Sequence, residues 1–271
     1  MSQRHTLAAY IMQAVEDNKL VLPTLPEVAL QIRRCEDNPN LDVMELARTI
    51  EHDPATAAQI LRIANSPLLR REVKVADLSK AISLLGINYT AKLAVSFALK
   101  QLFSSTNPDL QHQMRNVWAH SMKVACHCYV LARHAKLMQE EAFLAGLLHQ
   151  IGALPIISMA NQTATYDENE LLNTIHQLHP MLGEQILSHW QFPREIADVP
   201  QNYTDGNRYI SRVDYCDLVT IASNHLQSDD DKHPWADIAA IERLGWHAPE
   251  ADEKLAALQD EIDLAYEIFN G

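Results

Sequence analysis

The sequence is poor in the residues that sheets and tight turns require. Only seven of its 271 residues are glycine, and alternating runs of β-branched residues are few. Strands favour β-branched and aromatic residues in alternation with polar ones. Because neither pattern is developed, the sequence argues against sheets and predicts an all-α fold.

Segments that would carry the chain into or across a membrane are also missing. Residues 1–10 have no apolar signal core and no small-residue cleavage site. The longest uncharged stretch, residues 142–164, is interrupted by His149, Gln150 and Pro155, which favours buried helix and loop over a bilayer span. We therefore expect no membrane association and a cytoplasmic location.

The sequence contains no pair of cysteines at the spacing of redox-active or metal-binding motifs. The four cysteines are Cys35, Cys126, Cys128 and Cys216, without any Cys-x-x-Cys motif. Cys126 and Cys128 lie two residues apart on a predicted helix, so their side chains diverge. Free, buried thiols in a reducing compartment are the expected state.

Positive charge is scarce, above all after the first hundred residues. The net charge is −13; residues 1–106 carry 12 Lys and Arg against 11 Asp and Glu, whereas residues 107–271 carry 10 against 24. An acidic protein repels phosphate backbones, so nucleic acid is an unlikely partner. One alternative stays open: the two predicted helices on either side of Gly86 resemble a helix-turn-helix, a motif that binds nucleic acid. The basic residues near this segment are Arg62, Arg70, Arg71, Lys74, Lys80 and Lys92.

Helix start and stop signals, in contrast, are plentiful. Asp42 with Glu45 reads as a capping box, and Asp53 precedes a proline at a first helical position. Gly86 stands where a helix would end with a positive φ angle. In the second half we expect helices near 110–136, 140–149, 168–178, 180–191, 193–200, 208–226 and 252–269.

A stretch of polar residues and proline at 104–108 predicts a boundary between two lobes. We divide the chain into an N-terminal helical lobe (1–106), a second helical lobe (107–227) and an appendix (228–271). The appendix begins with an acidic loop and ends in a helix whose apolar stripe must be buried.

Eleven of the thirteen histidines lie after residue 110. His120, His127 and His134 follow an apolar helical stripe at heptad spacing, and each alone is better explained as a core or boundary residue. His149 stands at the end of an apolar helix. His179 lies on the apolar face of what reads as a helix beginning at His179-Pro180.

Asp217 lies among apolar residues of its predicted helix, on the face that we assign to Ile210, Val213 and Ile221. A carboxylate there is costly to bury unless it is paired, hydrogen-bonded or bound to a cation. A purely structural interpretation places it in a buried polar network, in which His120 and His149 would bond Asp217 or backbone carbonyls.

The order of these residues resembles the metal-ligand series of the HD phosphohydrolase superfamily. The matching segments are His120-Ser121-x-x-Val124-Ala125, then Gly146-Leu147-Leu148-His149-x-Ile151-Gly152, then His179-x-x-x-Gly183, then Asp217. The resemblance implies an HD-like helical bundle in the second lobe. In active members of that superfamily one or two divalent metals generate a hydroxide.

Motifs of the first lobe narrow the resemblance to the HDOD (HD-related output) domain. They are Leu22-Pro23-x-Leu25-Pro26, Asp53-Pro54, Leu61-Arg62-x-Ala64-Asn65-Ser66 and Ala81-Ile82-x-Leu84-Leu85-Gly86. The resemblance covers about residues 15–225. It implies a non-catalytic module of bacterial signal transduction.

The sequence departs from the active pattern at three positions. Gln150 stands where the metal-bridging aspartate follows the histidine, and Asn202-Tyr203 stands where a histidine pair often occurs. A neutral amide is a poor ligand for a hard dication. We therefore interpret His120, His149, His179 and Asp217 as a vestigial metal set that stays empty, and expect no catalytic residue and no cofactor.

Two functions follow. The first is a non-catalytic signalling module that acts by contact with a signalling protein, or by sensing a small molecule or nucleotide in the cleft between the lobes. The alternative is a divergent, metal-dependent HD phosphohydrolase that acts on a nucleotide or cyclic dinucleotide and holds a divalent metal.

Overall fold

The computed structural model of the protein describes residues 6–36, 38, 40–67, 74–105, 107–162 and 167–270. Throughout these ranges the regular structure is helical, and they contain no strand, which confirms the all-α prediction. The start of the N-terminal segment (residues 1–5), Thr106 of the predicted boundary, and Arg70 and Arg71 of the basic set lie outside the described residues.

In the described residues, six α-helices and one 3-10 helix precede the predicted boundary. They are α1 (Leu7–Glu16), α2 (Glu27–Glu36), α3 (Val43–Glu51), α4 (Pro54–Ala64), α5 (Leu78–Leu85), α6 (Ile87–Ala98) and the 3-10 helix Leu99–Phe103.

The elements after the boundary include one long central helix, α7. They are α7 (Pro108–Ala135), α8 (Gln139–Leu148), α9 (Ala153–Ala160), α10 (Glu168–His189), α11 (Arg194–Ala197), α12 (Val199–Asn202), α13 (Tyr215–His225), α14 (Ala239–Arg243), α15 (Ala251–Ala257) and α16 (Gln259–Asn270), with 3-10 helices at Trp235–Asp237 and Ala248–Glu250.

Aspartate side chains begin several of these helices, as the sequence predicts. Asp42 accepts a hydrogen bond from the backbone N–H of Glu45, and Asp53 accepts one from Ala55. The Glu45 carboxylate bonds the Asn38 amide. Gly86 separates α5 from α6 at φ +94°, a conformation that residues with a Cβ rarely adopt.

The sequence misplaced two helix starts near the candidate site. His179-Pro180 does not begin a helix; it lies inside α10, which runs through Pro180. Packing of α10 on α9 and α12 outweighs the roughly 3 kcal/mol that an internal proline costs. The helix expected at 208–226 begins only at Tyr215, because Asp214 caps it in a capping box with Asp217. Ile210 and Val213 therefore precede the helix and share no helical face with Asp217.

A continuous apolar core joins elements from both sides of residue 106. It extends from Val28 in α2 to Phe269 in α16. The Phe269 ring packs against Phe97 of α6 and against Tyr129 and Phe143. The C-terminal segment is thus built into the core. Of the apolar stripe expected to be buried there, Leu255, Leu258 and Ile262 are buried and Tyr266 is half-buried.

One described helical stretch, Gln139–Ala160, has the length and hydropathy of a membrane span, but 83% of its apolar window is buried within the fold. The consecutive segments Leu78–Leu85 and Ile87–Phe103 reach the length and hydropathy of a membrane span only when they are taken together, across a bend of 116°. Burial of that degree is typical of core helices.

Candidate functional site

Three of the four predicted site residues come together around one tyrosine. His120 lies on α7, His149 directly follows α8, and His179 lies inside α10. The rings of His120 and His149 are 5.6 Å apart between centroids, and Tyr203 lies 5.1 Å from His149 and 5.8 Å from His179. Tyr203, at the end of α12, therefore occupies the centre of the histidine group.

Two glycines allow the backbones to approach closely here. A Cβ on Gly152 would lie 2.1 Å from the His179 carbonyl oxygen and 2.6 Å from the Gly183 nitrogen. A Cβ on Gly183 would lie 2.7 Å from the Pro200 Cβ. The absence of both side chains brings α9, α10 and α12 together, and with them His179 and Tyr203.

Hydrogen bonds fix part of this group. His149 Nδ1 donates to the Gly146 carbonyl oxygen at 2.7 Å, so its Nε2 carries no proton in the neutral ring. The Tyr203 hydroxyl and His179 Nε2 are 3.1 Å apart, and the Gln150 side chain also hydrogen-bonds Tyr203. His149 Nε2 and His179 Nδ1 are buried and have no hydrogen-bond partner in the part of the chain that the structure describes.

Burial keeps these groups uncharged. Desolvation lowers the pKa of His149 well below its usual value, with a further contribution from His120. Desolvation lowers the pKa of His179 to about 3 and raises the pKa of Tyr203 to about 12. His120 is less buried, and desolvation lowers its pKa as well. The group is therefore neutral at pH 7.

Asp217, the fourth predicted residue, is held by two arginines. Its Oδ1 accepts from Arg208 at 2.6 Å and from Arg243 at 2.7 Å, and its Oδ2 accepts from Arg243 Nε at 2.8 Å. Arg208 also bonds Asp214 through both terminal nitrogens. The carboxylate is fully buried, so the bidentate Arg243 contact and the Arg208 contact balance its charge.

The expected polar network therefore divides in two. His149 bonds a backbone carbonyl, as that interpretation expected, while the Asp217 carboxylate bonds two arginines and the backbone N–H of Asp214. Sequence reasoning missed Arg208 and Arg243, nine residues before and 26 residues after Asp217. The one signal that could have found them was the need of a buried carboxylate for a cationic partner.

The residues present do not fit a divalent metal. No group of three or more His, Cys, Asp or Glu side chains in the described part of the chain is arranged to hold one. Gln150 brings no charge, and the Asp217 oxygens already bind guanidinium groups. A hard dication needs anionic oxygen ligands to offset its dehydration, and this site does not present them.

Two cavities lie near these residues. One, of about 870 Å³, opens beside the histidine group and is lined by His120, Gln150, His179 and Tyr203 among others. The other, of about 650 Å³, is bordered by residues from both predicted lobes, including Arg33, Lys92, Glu141, Phe192 and Tyr215. That a ligand binds in a cleft between the lobes stays a prediction.

One of the basic residues around Gly86 has an acidic partner in the described structure. Lys92 pairs with Glu141 at the inter-lobe cavity, and α5 and α6 meet at 116°. That nucleic acid is not a partner stays a prediction.

An all-helical fold with this histidine group defines an HD-like helical protein. Within that class the family model for the HDOD domain matches residues 22–205, and the chain belongs to the HDOD family. Asp217 and Arg243 lie beyond the matched residues.

Curated relatives are distant and longer. An uncharacterized protein of Treponema pallidum is 22% identical over 210 residues, 73% of this chain and 39% of that protein. The cyclic di-GMP phosphodiesterase CdgJ of Vibrio cholerae is 27% identical over 129 residues, 47% of this chain and 28% of that protein. The matched regions thus span less than half of either relative.

Solved structures share the fold along nearly the whole chain. A candidate metal-dependent phosphohydrolase from Shewanella amazonensis SB2B superposes with a TM-score of 0.84 at 27% identity, covering 99% of this chain and 100% of that one. An HDOD domain protein of unknown function from Geobacter sulfurreducens superposes with a TM-score of 0.67 at 20% identity, covering 97% of each chain.

Proposed function

We propose that the protein is a non-catalytic signal-transduction module. It would act in the bacterial cytoplasm, through contact with a signalling protein or by binding a small ligand. Membership of the HDOD family supports the signalling role. The observation that carries the non-catalytic part is the pairing of Asp217 with Arg208 and Arg243.

That pairing bears directly on hydrolysis. A metal-dependent phosphohydrolase needs ligands that are free to bind the metal and to lower the pKa of a bound water. Binding at Asp217 would require two partly buried guanidinium groups to give up this carboxylate. Arg243 would then lose its carboxylate partner and Arg208 would keep only Asp214, and a partly buried guanidinium group left without its partner is unfavourable. Gln150 removes the bridging carboxylate as well.

The competing function is a cyclic-dinucleotide or nucleotide phosphohydrolase. In its favour, a relative that is 27% identical over 129 residues is named a cyclic di-GMP phosphodiesterase. A solved neighbour at 27% identity is described as a candidate metal-dependent phosphohydrolase. Neither likeness supplies the missing anionic ligands.

The deciding experiment measures metal and turnover together. The full chain is purified without chelator, its iron, manganese, nickel and zinc are quantified, and cyclic di-GMP and bis-p-nitrophenyl phosphate are offered with added Mn²⁺. We expect substoichiometric metal and no turnover. The variant Gln150→Asp should also stay inactive, because Asp217 is still held by both arginines. Metal-dependent turnover by the unmodified chain would overturn the proposal.

A further inference from the structure

The cavity beside the histidine group has a buried polar floor and an acidic rim. The floor is formed by His179, Tyr203, Thr220, Ser223 and Asn224, all of which are buried. The rim carries three exposed carboxylates, those of Glu168, Asp205 and Asp237. Apolar side chains of Val117, Ile175 and Ile238 also line it. Its volume of about 870 Å³ lies within the usual range of small-molecule sites.

Two floor atoms have unused hydrogen-bonding capacity. Among the described residues, His179 Nδ1 and Ser223 Oγ have no hydrogen-bond partner, although their residues are only 2% and 7% exposed. Buried polar groups are nearly always satisfied in native proteins, and an unsatisfied one calls for an explanation. Both residues line the cavity, and rotation of the two side chains would bring these atoms to a bound molecule.

The charges around the cavity select against anions. None of the described residues that line it is a lysine or an arginine, and the basic side chains among them are the histidines at positions 120, 176, 179 and 233. The neighbouring Arg208 is engaged by Asp214 and Asp217. Phosphate groups are recognised through arginine, lysine, helix N-termini or metals, whereas carboxylates attract cations.

We propose that this cavity binds a small organic amine. Its ammonium group would lie at the carboxylate rim, and its body would lie against the apolar lining and the polar floor. The site would reject phosphate esters. The proposal rests on the proposed function in one respect, that the site does not hydrolyse phosphoesters.

Three probes of one skeleton test the charge preference. Benzylamine, benzyl alcohol and benzyl phosphate are titrated at millimolar concentration into the full chain labelled with ¹³C at histidine, and the ring resonances of His120 and His179 are followed. We expect benzylamine to bind more tightly than the alcohol, and benzyl phosphate to bind about tenfold more weakly than benzylamine or not at all. Added salt should reduce the preference, because the rim carboxylates are exposed.

Two double variants with the same change in net charge distinguish the effect of the rim carboxylates on binding from the effect of the overall negative charge. Glu168→Gln with Asp237→Asn should abolish most of the preference for benzylamine over benzyl alcohol. Glu253→Gln with Asp260→Asn changes the net charge equally at exposed positions of α15 and α16, outside this cavity, and should leave the preference intact.

Two results would overturn the amine site: benzyl phosphate binding as tightly as benzylamine, or no shift of either histidine with any probe. Both are distinct from failure of the proposed function, which would show as metal-dependent turnover of cyclic di-GMP.

Discussion

The buried histidines make the native protein sensitive to acid. His149 is fully buried and His179 nearly so, and protonating either ring places a charge in a medium that solvates it poorly. Two neighbouring histidines, His176 and His120, lower the pKa of His179 further.

We expect the free energy of unfolding to fall as pH is lowered from about 7.5 to about 5. The pKa of His179 is about 3 in the folded protein against 6.5 for a free side chain, so below pH 6.5 the unfolded chain binds more protons. A pKa lowered by folding therefore reduces stability as pH falls. For His179 alone the loss near pH 5 is about 2 kcal/mol. Urea titrations at several pH values measure it.

The variant His179→Gln should flatten this pH dependence by about the same 2 kcal/mol. His247→Gln, at an exposed histidine, should leave the slope unchanged. A steep slope that persists in His179→Gln would place the acid sensitivity elsewhere.

Individual site residues were only partly predictable. The order of His120, His149 and His179 along the chain resembled a known series, and the fold brings the three together. The partners of Asp217 were not predictable, because Arg208 and Arg243 reach it from an irregular segment and from α14, and no helical spacing links them to it. Tyr203 was noticed only as a departure from the pattern, yet it stands at the centre of the group.

At the scale of elements, the contact between α9, α10 and α12 positions the site. Gly152 and Gly183 let these backbones meet, and His179 lies between the two contacts. The sequence showed both glycines within its motifs but not what each one faces, since that depends on the tertiary approach of helices far apart in the chain.

The variant Gly152→Ala should destabilise the protein by about 3 kcal/mol, because its Cβ would collide with backbone atoms of α10 that cannot rotate away. Displacing α10 should also disturb the contact between His179 and Tyr203. Urea unfolding gives the first effect, and the His179 ring resonance gives the second.

A matched change is Gly206→Ala, where the nearest atom to the new Cβ is 3.3 Å away. Its cost should stay below about 1 kcal/mol. Equal costs for the two alanines would refute the close-contact explanation.

Element type was more predictable than element boundaries. Aspartate caps and Gly86 predicted starts and ends in the first half because capping is a local interaction. The continuity of α10 through Pro180 depends on packing, which outweighs the local effect of the proline. The start of α13 depends on the Asp214–Asp217 capping box, a local pattern that we did not identify in the sequence.

Across the whole molecule, the core joins both predicted lobes and the C-terminal segment. Phe269 of α16 contacts the rings of Phe97, Tyr129 and Phe143, which lie on either side of residue 106. The division into lobes at that residue stays a prediction, while the packing predicts that the parts unfold together.

Phe269→Ala should lower the free energy of unfolding by about 4 kcal/mol while leaving one cooperative transition. Tryptophan fluorescence and far-ultraviolet circular dichroism should report the same midpoint. Tyr209→Ala removes an aromatic ring that is fully solvent-exposed, and it should change stability by less than about 0.5 kcal/mol. Separate midpoints for the two probes would show that the lobes unfold independently.

The two arginines on Asp217 also constrain the evolutionary routes open to this chain. Replacing Gln150 with aspartate supplies one carboxylate but leaves Asp217 engaged. Removing Arg208 or Arg243 first leaves buried charge less well balanced, with no metal site yet in place to compensate. Every single step toward metal binding therefore passes through a less stable or still metal-free intermediate. Under the proposed non-catalytic function, metal-dependent hydrolysis at this site would therefore require several substitutions at once.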